Sequence, residues 1–539
     1  MTASGLAGRF FLCRSRFTAG SEVASMRRKA KVLMVQGTAS SVGKSIMVAA
    51  LCRILKQDGY RVAPFKAQNM ALNSFITKDG REMGRAQVVQ AEAAGLEPEV
   101  DMNPILIKPN TDIGAQIVIH GRVYKNMSAS LYHSFKKDAL GFVRESFRRL
   151  NEKYDFIVIE GAGSPAEINL RENDIANMGM AEIADCPVVL AGDIDRGGVF
   201  ASLIGTMELL TEEERHRVKG FIINKFRGDI SLLNPGLKFL EKRTGIPVLG
   251  TIPYFKDIYI QEEDSVSLDR LMIGTNKSGK VDIAVIYLPH ISNFTDFDPF
   301  EREPDVNLRY VVPGGAIGDV DVIIIPGSKN TIDDLNYLYN CGYAGEILRH
   351  YKKGGAVVGV CGGYQMLGEC IADPYRVETS LGKISGMALL PVRTSIEKEK
   401  VTCQVRAKIH PLNRFFKNTG ELRGYEIHMG LTDFRKERYM FEIIERGGSS
   451  TSVPDGFISE NGKVWGTYIH GIFDNDGFRE EFISRIKPAK GIPIATRGES
   501  EADTSFNFQE FKETQYDRLA ELVRGNIDME TFYRIAGLR

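Results

Sequence analysis

The chain alternates short apolar strands with helical stretches in two successive series, and this alternation restricts the folds open to it. Such alternation is typical of parallel sheets, because each helix returns the chain to the end of the sheet where the next strand begins. We therefore expect an α/β fold of two parallel-sheet domains. The predicted strands are 32–35, 62–65, 156–159, 187–190, 220–223 and 247–250 in the first series, and 283–286, 322–325, 356–360 and 464–469 in the second.

The two series divide the 539 residues into domains. We expect the first domain at 31–255 and the second at 279–490, joined by an acidic, turn-rich linker at 256–278. The tail at 491–539 has apolar residues at helical spacing, which predicts a terminal helical segment packed on one of the domains. Residues 1–30 are basic and are expected to lie outside the fold, as a start site assigned too early or as a transit peptide.

Composition excludes several classes of function. Lys and Arg total 69 and Asp and Glu total 69, so binding of nucleic acid through bulk positive charge is not expected. No apolar run approaches 18 residues, so no membrane span is predicted. The seven cysteines are scattered without a CxxC pair, which indicates reduced thiols and a cytoplasmic protein. The sequence leaves the oligomeric state open.

A glycine-rich loop at 37–45, Gly-Thr-Ala-Ser-Ser-Val-Gly-Lys-Ser, lies between the first predicted strand and the first helix. Successive backbone N–H groups in such a loop can bind phosphate oxygens at a helix N-terminus. Lys44 is expected to contact the β- and γ-phosphates, and the Ser45 hydroxyl to ligate Mg²⁺. We therefore predict an ATP site whose residues include Gly37, Thr38, Gly43, Lys44 and Ser45.

Polar residues collect after several predicted strands, where the carboxyl ends of a parallel sheet form binding sites. Glu160 follows one strand directly and is expected to be a second Mg²⁺ ligand beside Ser45, with Gln87 as a weaker candidate. Many amides in one region indicate a polar substrate that carries carbonyl or carboxyl groups. The predicted substrate-binding residues are Lys66, Gln68, Asn69, Asn73, Arg171, Asn173, Asp174, Asp193, Asp195 and Arg196.

In the second series, Cys361 lies at a turn between a strand and a helix, next to small residues that permit a strained backbone. The helix N-terminus favours the thiolate, so Cys361 is predicted to be a nucleophile. His470, at the end of another predicted strand, is the expected base, and His428 is the second choice. The backbone N–H groups of Gly362 and of the turn containing Gly327 are expected to form an oxyanion hole.

The glycine-rich loop, with its Gly-x5-Gly-Lys-Ser spacing, and the segment Glu160-Gly-Ala-Gly resemble those of the dethiobiotin synthetase group. That resemblance implies that ATP converts a substrate carboxylate to an acyl phosphate, that Glu160 is a Mg²⁺ ligand, and that Asn224 contacts the adenine base. A partitioning-type ATPase would usually carry a further Lys early in the loop, where this chain has none.

The elbow at Cys361, the turn at Gly327 and the segment ending at His470 resemble the class I glutamine amidotransferase domain. Members usually place a Glu two residues after the His, whereas this chain has Ile472. This departure resembles the cobyrinic-acid-type subgroup, which uses a Cys–His dyad, and it leaves open which group orients His470.

Several longer segments resemble the cobyric acid synthase family: 65–70, 83–87, 103–109, 160–170, 192–198 and 424–428. The resemblance implies a glutamine-hydrolysing carbon–nitrogen ligase that amidates the b, d, e and g carboxylates of adenosylcobyrinic acid a,c-diamide. L-Glutamine and a corrinoid polycarboxylate would be its substrates, with ATP and Mg²⁺. The alternatives are a cobyrinic acid a,c-diamide synthase, another ATP-dependent carboxylate amidase, or a nucleotide-switched binding protein whose amidotransferase half is inactive.

Overall fold

A computed structural model of the chain describes residues 29–109, 114–261, 263, 280–487 and 506–538. Residues 1–28 of the extension predicted at 1–30 and most of the linker predicted at 256–278 lie outside the described residues. Ala30 is buried, so the fold begins by residue 30. Within the described part, no helix is both long and apolar enough to cross a membrane.

The first unit is built on a six-stranded sheet whose strand pairs are all parallel. Its order is β12-β11-β10-β1-β9-β2, so the strand that precedes the glycine-rich loop lies near the centre. The strands of this unit are β1 Lys31–Gly37, β2 Val62–Phe65, β3 Gln68–Met70, β4 Ser74–Ile76, β5 Glu82–Gly84, β6 Ile105–Pro109, β7 Gly114–Ile119, β8 Arg122–Ser128, β9 Phe156–Glu160, β10 Val188–Asp193, β11 Val218–Phe226 and β12 Val248–Pro253.

Helices cover both faces of this sheet, because its central strands are apolar on both sides and must be shielded from water on each. The helices of the first unit are α1 Lys44–Gln57, α2 Arg85–Ala93, α3 Ala129–Lys153, α4 Met178–Ala184, α5 Val199–Leu209, α6 Glu212–Arg217 and α7 Ile230–Thr244. All six strands predicted for the first series are present, with bounds that differ by a few residues.

Two small sheets project from the first unit and were not predicted from the sequence. Strands β3, β6, β7 and β8 form a four-stranded sheet, and β4 and β5 form a hairpin. Both lie between β2 and β9 in the chain, so they extend the end of the main sheet at which Lys66 and Glu160 emerge. They carry much of the contact with the second unit.

The second unit contains a twelve-stranded mixed sheet. Strands β15, β13, β16, β18 and β25 pair in parallel. Four of them, β13, β16, β18 and β25, correspond to the predicted second series, whereas β15 was not predicted. The strands of the second unit are β13 Val281–Ile286, β14 Ile291–Ser292, β15 Val306–Val311, β16 Val322–Ile325, β17 Gly327–Ser328, β18 Ala356–Val360, β19 Cys370–Ala372, β20 Lys383–Ser385, β21 Val392–Ile409, β22 Leu422–Phe434, β23 Tyr439–Arg446, β24 Ser449–Ile458, β25 Val464–Thr467 and β26 Ile469–His470. Of these, β14 and β17 form a separate two-stranded sheet. The helices of the second unit are α8 Asp298–Arg302, α9 Thr331–Asn340, α10 Tyr343–Lys352, α11 Gly362–Leu367 and α12 Asp476–Ile486.

The long strands β21 to β24 form an antiparallel extension of this sheet that the sequence analysis did not predict. Their charged and apolar residues alternate, as expected for a sheet with one face in water. Strand β22 also pairs with β26, so the extension meets the strand that ends at His470.

The tail returns to the first unit, where α13 Phe508–Asn526 and α14 Met529–Ile535 pack on α1 and β12. Leu519, Ala520 and Val523 are fully buried in the core on that face of the first sheet. Arg53 of α1 donates to Asp517 at 2.7 Å and to Glu513 at 2.8 Å. The C-terminal helices thus complete the hydrophobic core of the first unit.

The two units meet along a polar seam, which we define as the contact of residues 69–87 with residues 291–297 and strands β21 and β22. The backbone N–H of Ser74 donates to Asn293 Oδ1 at 3.1 Å, and that of Phe294 donates to Asn73 Oδ1 at 3.3 Å. Lys400 of β21 donates to Glu82 at 2.6 Å. Asn73, Glu82 and Asn293 are buried, and the side chain of Lys400 is nearly so, which shields the seam from water.

Candidate active sites at the two sheet edges

The loop that follows β1 has the conformation of a phosphate-binding loop. Gly43 adopts φ +99°, and a Cβ at this position would lie 2.2 Å from Asn224 Nδ2, so a side chain is excluded both by conformation and by space. A Cβ on Gly37 would lie 2.4 Å from Val42. Lys44 Nζ donates to the carbonyls of Ala39 and Gly163 at 2.8 Å each.

Glu160 is the centre of the polar cluster at the end of β9. Its Oε1 accepts from Ser45 Oγ at 2.7 Å and from Lys66 Nζ at 2.9 Å, and its Oε2 accepts from Gln90 at 2.6 Å and Gln87 at 3.3 Å. Burial alone would raise the pKa of Glu160, but the charge of Lys66 and these hydrogen bonds outweigh it and lower the pKa. The carboxylate is therefore ionised beside the hydroxyl of Ser45.

The side chain of Asn224 is hydrogen-bonded to the glycine-rich loop. Its Nδ2 donates to the carbonyl of Val42 at 2.8 Å, and its Oδ1 accepts from the backbone N–H of Lys225 at 2.9 Å. Lys225 Nζ in turn donates to the carbonyl of Ser41 and to Asp193 Oδ2. Both polar atoms of the Asn224 side chain are engaged within the protein, so its expected contact with adenine stays a prediction.

The amides predicted to bind substrate divide into two groups. Gln68 is half-buried and accepts from Tyr132 at 2.7 Å, whereas Asn69 is buried and donates to Gln87 at 2.9 Å and to Glu263 at 2.5 Å. Asn73 is fully buried in the seam, where it donates to the carbonyl of Glu263 at 3.2 Å. Asn73 thus bridges the two units, and its contact with substrate stays a prediction.

The residues predicted on the far side of the loop are also held by protein groups. Arg171 donates to the carbonyl of Leu209, and Asn173 contacts His133 at 3.1 Å. Asp174 accepts from three backbone N–H groups at the start of α4, at 2.9 Å each.

Asp193 and Asp195 pair with Lys225 and Arg227 at 2.8 and 2.7 Å, and Arg196 is exposed. The structure thus shows framework contacts for Asp174 and Asp193. Their contact with substrate stays a prediction, as it does for Arg171, Asn173, Asp195 and Arg196.

Cys361 lies on a strained turn between β18 and α11. Its backbone adopts φ 51° and ψ −108°, a conformation that residues other than glycine rarely adopt. A Cβ on Gly363 would lie 2.0 Å from the carbonyl of Ile325, so the elbow packs directly on the neighbouring strand β16. The turn therefore holds the thiol at the carboxyl end of the sheet, as a nucleophile elbow requires.

His470 is oriented by Asp296, a residue that the sequence analysis did not identify. His470 Nδ1 lies 2.6 Å from Asp296 Oδ2, and Asp296 Oδ1 accepts from the N–H of Gly471 at 2.9 Å. Burial alone would lower the pKa of His470, but the charge and hydrogen bond of Asp296, with a smaller contribution from Cys361, raise it to about 10. The ring is therefore held as an imidazolium beside the thiol.

Cys361 and His470 line one cavity of about 40 Å³ at the boundary between the units. Ser328, which follows Gly327, also lines it, and a Cβ on Gly362 would lie 2.9 Å from the N–H of Ser328. The two backbone segments predicted to form an oxyanion hole are thus adjacent. Lys108 of the first unit contributes to the wall, so neither unit encloses the cavity alone.

The first unit also contacts the surroundings of His470, through Arg85 and its contact with the tyrosine that stacks on the histidine. Tyr425 stacks on His470 with 5.3 Å between ring centroids, and its hydroxyl accepts from Arg85 at 3.0 Å. His428, the second choice as base, lines the same cavity but contacts the carbonyl of Gly430 at 2.8 Å and Glu426 at 3.5 Å. His470 is therefore the histidine with the geometry of an activated base.

Asp296 escaped the sequence analysis because it lies 174 residues before His470. The one available indication was the segment Asn293-Phe294-Thr295-Asp296 directly after β14, in which three polar residues surround one aromatic residue. Among the described residues, no group of three or more His, Cys, Asp or Glu side chains is placed to hold a metal ion.

Comparisons with known proteins match both units. Residues 33–268 match the family described as CobQ/CobB/MinD/ParA nucleotide binding domain, and residues 282–478 match the family described as CobB/CobQ-like glutamine amidotransferase domain. The chain is 52% identical over 510 residues to a cobyric acid synthase of Clostridium botulinum (strain 657 / Type Ba4), which covers 94% of this chain and 99% of the relative. It is 53% identical over 509 residues to a cobyric acid synthase of Thermoanaerobacter sp. (strain X514), which covers 93% and 98%.

We expect Asp296→Asn to reduce the reactivity of Cys361 at neutral pH, because removal of the carboxylate charge lowers the pKa of His470 and weakens the ion pair that favours the thiolate. The rate of alkylation by iodoacetamide at pH 7 should fall by about 10-fold or more. Alkylation of Cys361 is followed by mass spectrometry. Asp319→Asn, at an exposed position, is the matched control, and an unchanged rate in Asp296→Asn would contradict the role of Asp296.

Proposed function

The chain belongs to the cobyric acid synthase family of cobalamin biosynthesis, and from that premise we propose that it amidates the b, d, e and g carboxylates of adenosylcobyrinic acid a,c-diamide. In this proposal each amidation consumes one glutamine and one ATP in the cytoplasm. The observation that carries it is the presence, in one chain, of a phosphate-binding loop beside an ionised Glu160 and of Cys361 beside an imidazolium.

The ATP half of the site uses the loop at 37–45. In the proposal its backbone N–H groups and Lys44 bind the phosphates, and Ser45 and Glu160 hold Mg²⁺. Two hard oxygen donors 2.7 Å apart at the base of the loop fit this ion, which commonly takes only one or two protein ligands beside phosphate. When bound, Mg²⁺ would neutralise charge on the phosphates. Lys66, which contacts Glu160, is placed to stabilise the carboxylate that attacks the γ-phosphate.

The glutamine half begins with the thiolate of Cys361, which attacks the carboxamide carbon of glutamine. The backbone N–H groups near Gly327 and Gly362 would stabilise the oxyanion, and His470 donates its proton to the departing ammonia. A water molecule then attacks the thioester and gives its proton to His470. Glutamate leaves, and the thiolate and the imidazolium are restored.

Ammonia then attacks the carbonyl carbon of the acyl phosphate, and inorganic phosphate leaves as the amide forms. In the proposal Gln68, which is half-buried near this edge, contacts the large polar substrate together with the partly exposed Arg171 and Asn173. Arg196 and Asp195 are exposed at the neighbouring loop and are further candidates. A site with few net charges would suit a substrate that loses one negative charge at each amidation.

The direct test is incubation of the full chain with ATP, Mg²⁺, glutamine and adenosylcobyrinic acid a,c-diamide, with product masses read over time. We expect four successive carboxyl-to-amide changes, and no change when ATP is omitted. Two changes on cobyrinic acid itself, with none on the diamide, would instead identify an a,c-diamide synthase.

Cys361→Ala should remove synthesis that depends on glutamine and leave synthesis from ammonium salts, because the thiol acts only in release of ammonia. Both rates are measured as amide product by mass. Ser202→Ala, at an exposed position on α5, is the matched control, and both of its rates should equal those of the unmodified chain. Loss of both rates in Cys361→Ala, with an intact fold, would contradict the assignment of Cys361 to the glutaminase step alone.

Lys44→Ala should remove synthesis from either nitrogen source, because the phosphates lose their positive charge in the loop. We expect a fall of at least about 100-fold in the ammonium-dependent rate, in line with the usual loss of one electrostatic contact to a transferring group. Lys56→Ala, near the end of the same helix and half-buried, is the matched control. A Lys44→Ala variant that retains ammonium-dependent synthesis would place phosphate binding elsewhere.

A further inference from the structure

The cavity beside Cys361 contains two ionisable groups that the glutaminase steps above do not use. Lys329 and Glu378 both line this cavity, and both also line a second, smaller cavity beside it together with Gln116 and Asn126 of the first unit. The two groups thus lie where the cavity of the thiol continues along the boundary between the units.

Lys329 is held in place by its backbone, and its ammonium group has no partner among the residues that the structure describes. Its N–H donates to the carbonyl of His290 at 2.9 Å, next to the short strand β17. Within the described part of the chain, its Nζ makes no hydrogen bond and no ion pair. Burial, together with the charges of Lys400 and Lys108, lowers the pKa of Lys329 to about 7. Such a group gains most from a ligand that brings a negative charge.

Glu378 is fixed by one oxygen only. Its Oε2 accepts from the backbone N–H of Thr331 at 2.8 Å, and no described group donates to Oε1. Burial raises the pKa of Glu378 to about 7, against the charge of Lys329, which lowers it. The second oxygen is therefore available to a cationic ligand.

The other charges around the cavity are already paired. Lys108 and Lys400 both donate to Glu82, at 2.8 and 2.6 Å, so two cations share one carboxylate. This wall keeps an excess of one positive charge, which favours an anion on the Lys329 side. The cavity thus offers a cation, an anion and a nucleophile, each from a different segment.

We propose that Lys329 binds the α-carboxylate of free glutamine and that Glu378 binds its α-ammonium group, so that the pair selects a zwitterionic amino acid at the cavity of Cys361. This inference rests on the proposed function, in which Cys361 attacks the carboxamide of glutamine. In this inference Lys329 and Glu378 determine which substrate binds, and neither side chain forms or breaks a covalent bond. Loss of either charge weakens glutamine binding, because the complementary charge of the ligand is then buried without a partner.

The test compares three substrates of the full chain by the ammonia they release: L-glutamine, 4-aminobutanamide, which lacks the α-carboxylate, and 4-carbamoylbutanoate, which lacks the α-ammonium group. Lys329→Met is expected to raise the KM for glutamine by about 10- to 100-fold with little change in kcat. It should leave kcat/KM for 4-aminobutanamide nearly unchanged.

Glu378→Gln should show the reciprocal pattern, with the loss confined to substrates that carry the ammonium group. This variant is isosteric, so it keeps the test available if Lys329→Met does not fold. Lys353→Met and Glu437→Gln, both at exposed positions, are the matched controls. Equal losses on all three substrates, or no rise in KM for glutamine in either variant, would overturn the assignment of Lys329 and Glu378.

Iodoacetamide distinguishes this failure from failure of the proposed function, because the reagent carries neither α-group. Alkylation of Cys361 should proceed at the same rate in Glu378→Gln and in the unmodified chain, and should abolish ammonia release in both. If alkylation of Cys361 leaves ammonia release intact, the nucleophile assignment fails. If alkylation abolishes release but the variants keep full discrimination among the three substrates, only the zwitterion site fails.

Discussion

The buried polar seam between the two units sets the positions of both active sites. At its centre, Glu82 of the first unit pairs with Lys108 of the same unit and with Lys400 of the second. Burial alone would raise the pKa of Glu82, but the two ammonium groups lower it well below its ordinary value. Removal of one partner from such a buried group is strongly destabilising, because an uncompensated charge remains. The relative position of the units is thereby tied to specific side chains and to the wall of the cavity that contains Cys361.

The seam continues toward the phosphate-binding loop through a series of hydrogen bonds. Asn69 donates to both Glu263 and Gln87, and Gln87 donates to Glu160, which accepts from Ser45 of the loop. Burial, with a further contribution from the charge of Glu160, raises the pKa of Glu263 to about 7, against the lowering effect of Lys66. A carboxyl group that titrates near neutral pH thus lies between the seam and the carboxylate beside the loop.

The sequence predicted the parallel strands of the first sheet and four of the five in the second, because each of these is a short apolar run with a recognisable turn after it. The elbow at Cys361 and the loop ending at Ser45 were predictable for the same reason, since their chemistry is encoded in adjacent residues. Strand β15 was not predicted, because polar residues interrupt its apolar ones. The antiparallel strands β21 to β24 were not predicted, because an alternating strand of 18 residues, such as Val392–Ile409, contains no uninterrupted apolar run. Asp296 could not be predicted from spacing, because its contact with His470 exists only after the chain has folded.

The polar residues near the loop show a second limit of sequence reasoning. An amide at the end of a strand has the same appearance in sequence whether it faces a substrate or a neighbouring unit, and Asn73 proves to be enclosed in the seam. Its Oδ1 accepts from Phe294, two residues before the aspartate that orients His470. One short segment, 293–296, therefore contacts both the amide-rich turn of the ATP half and the histidine of the glutamine half.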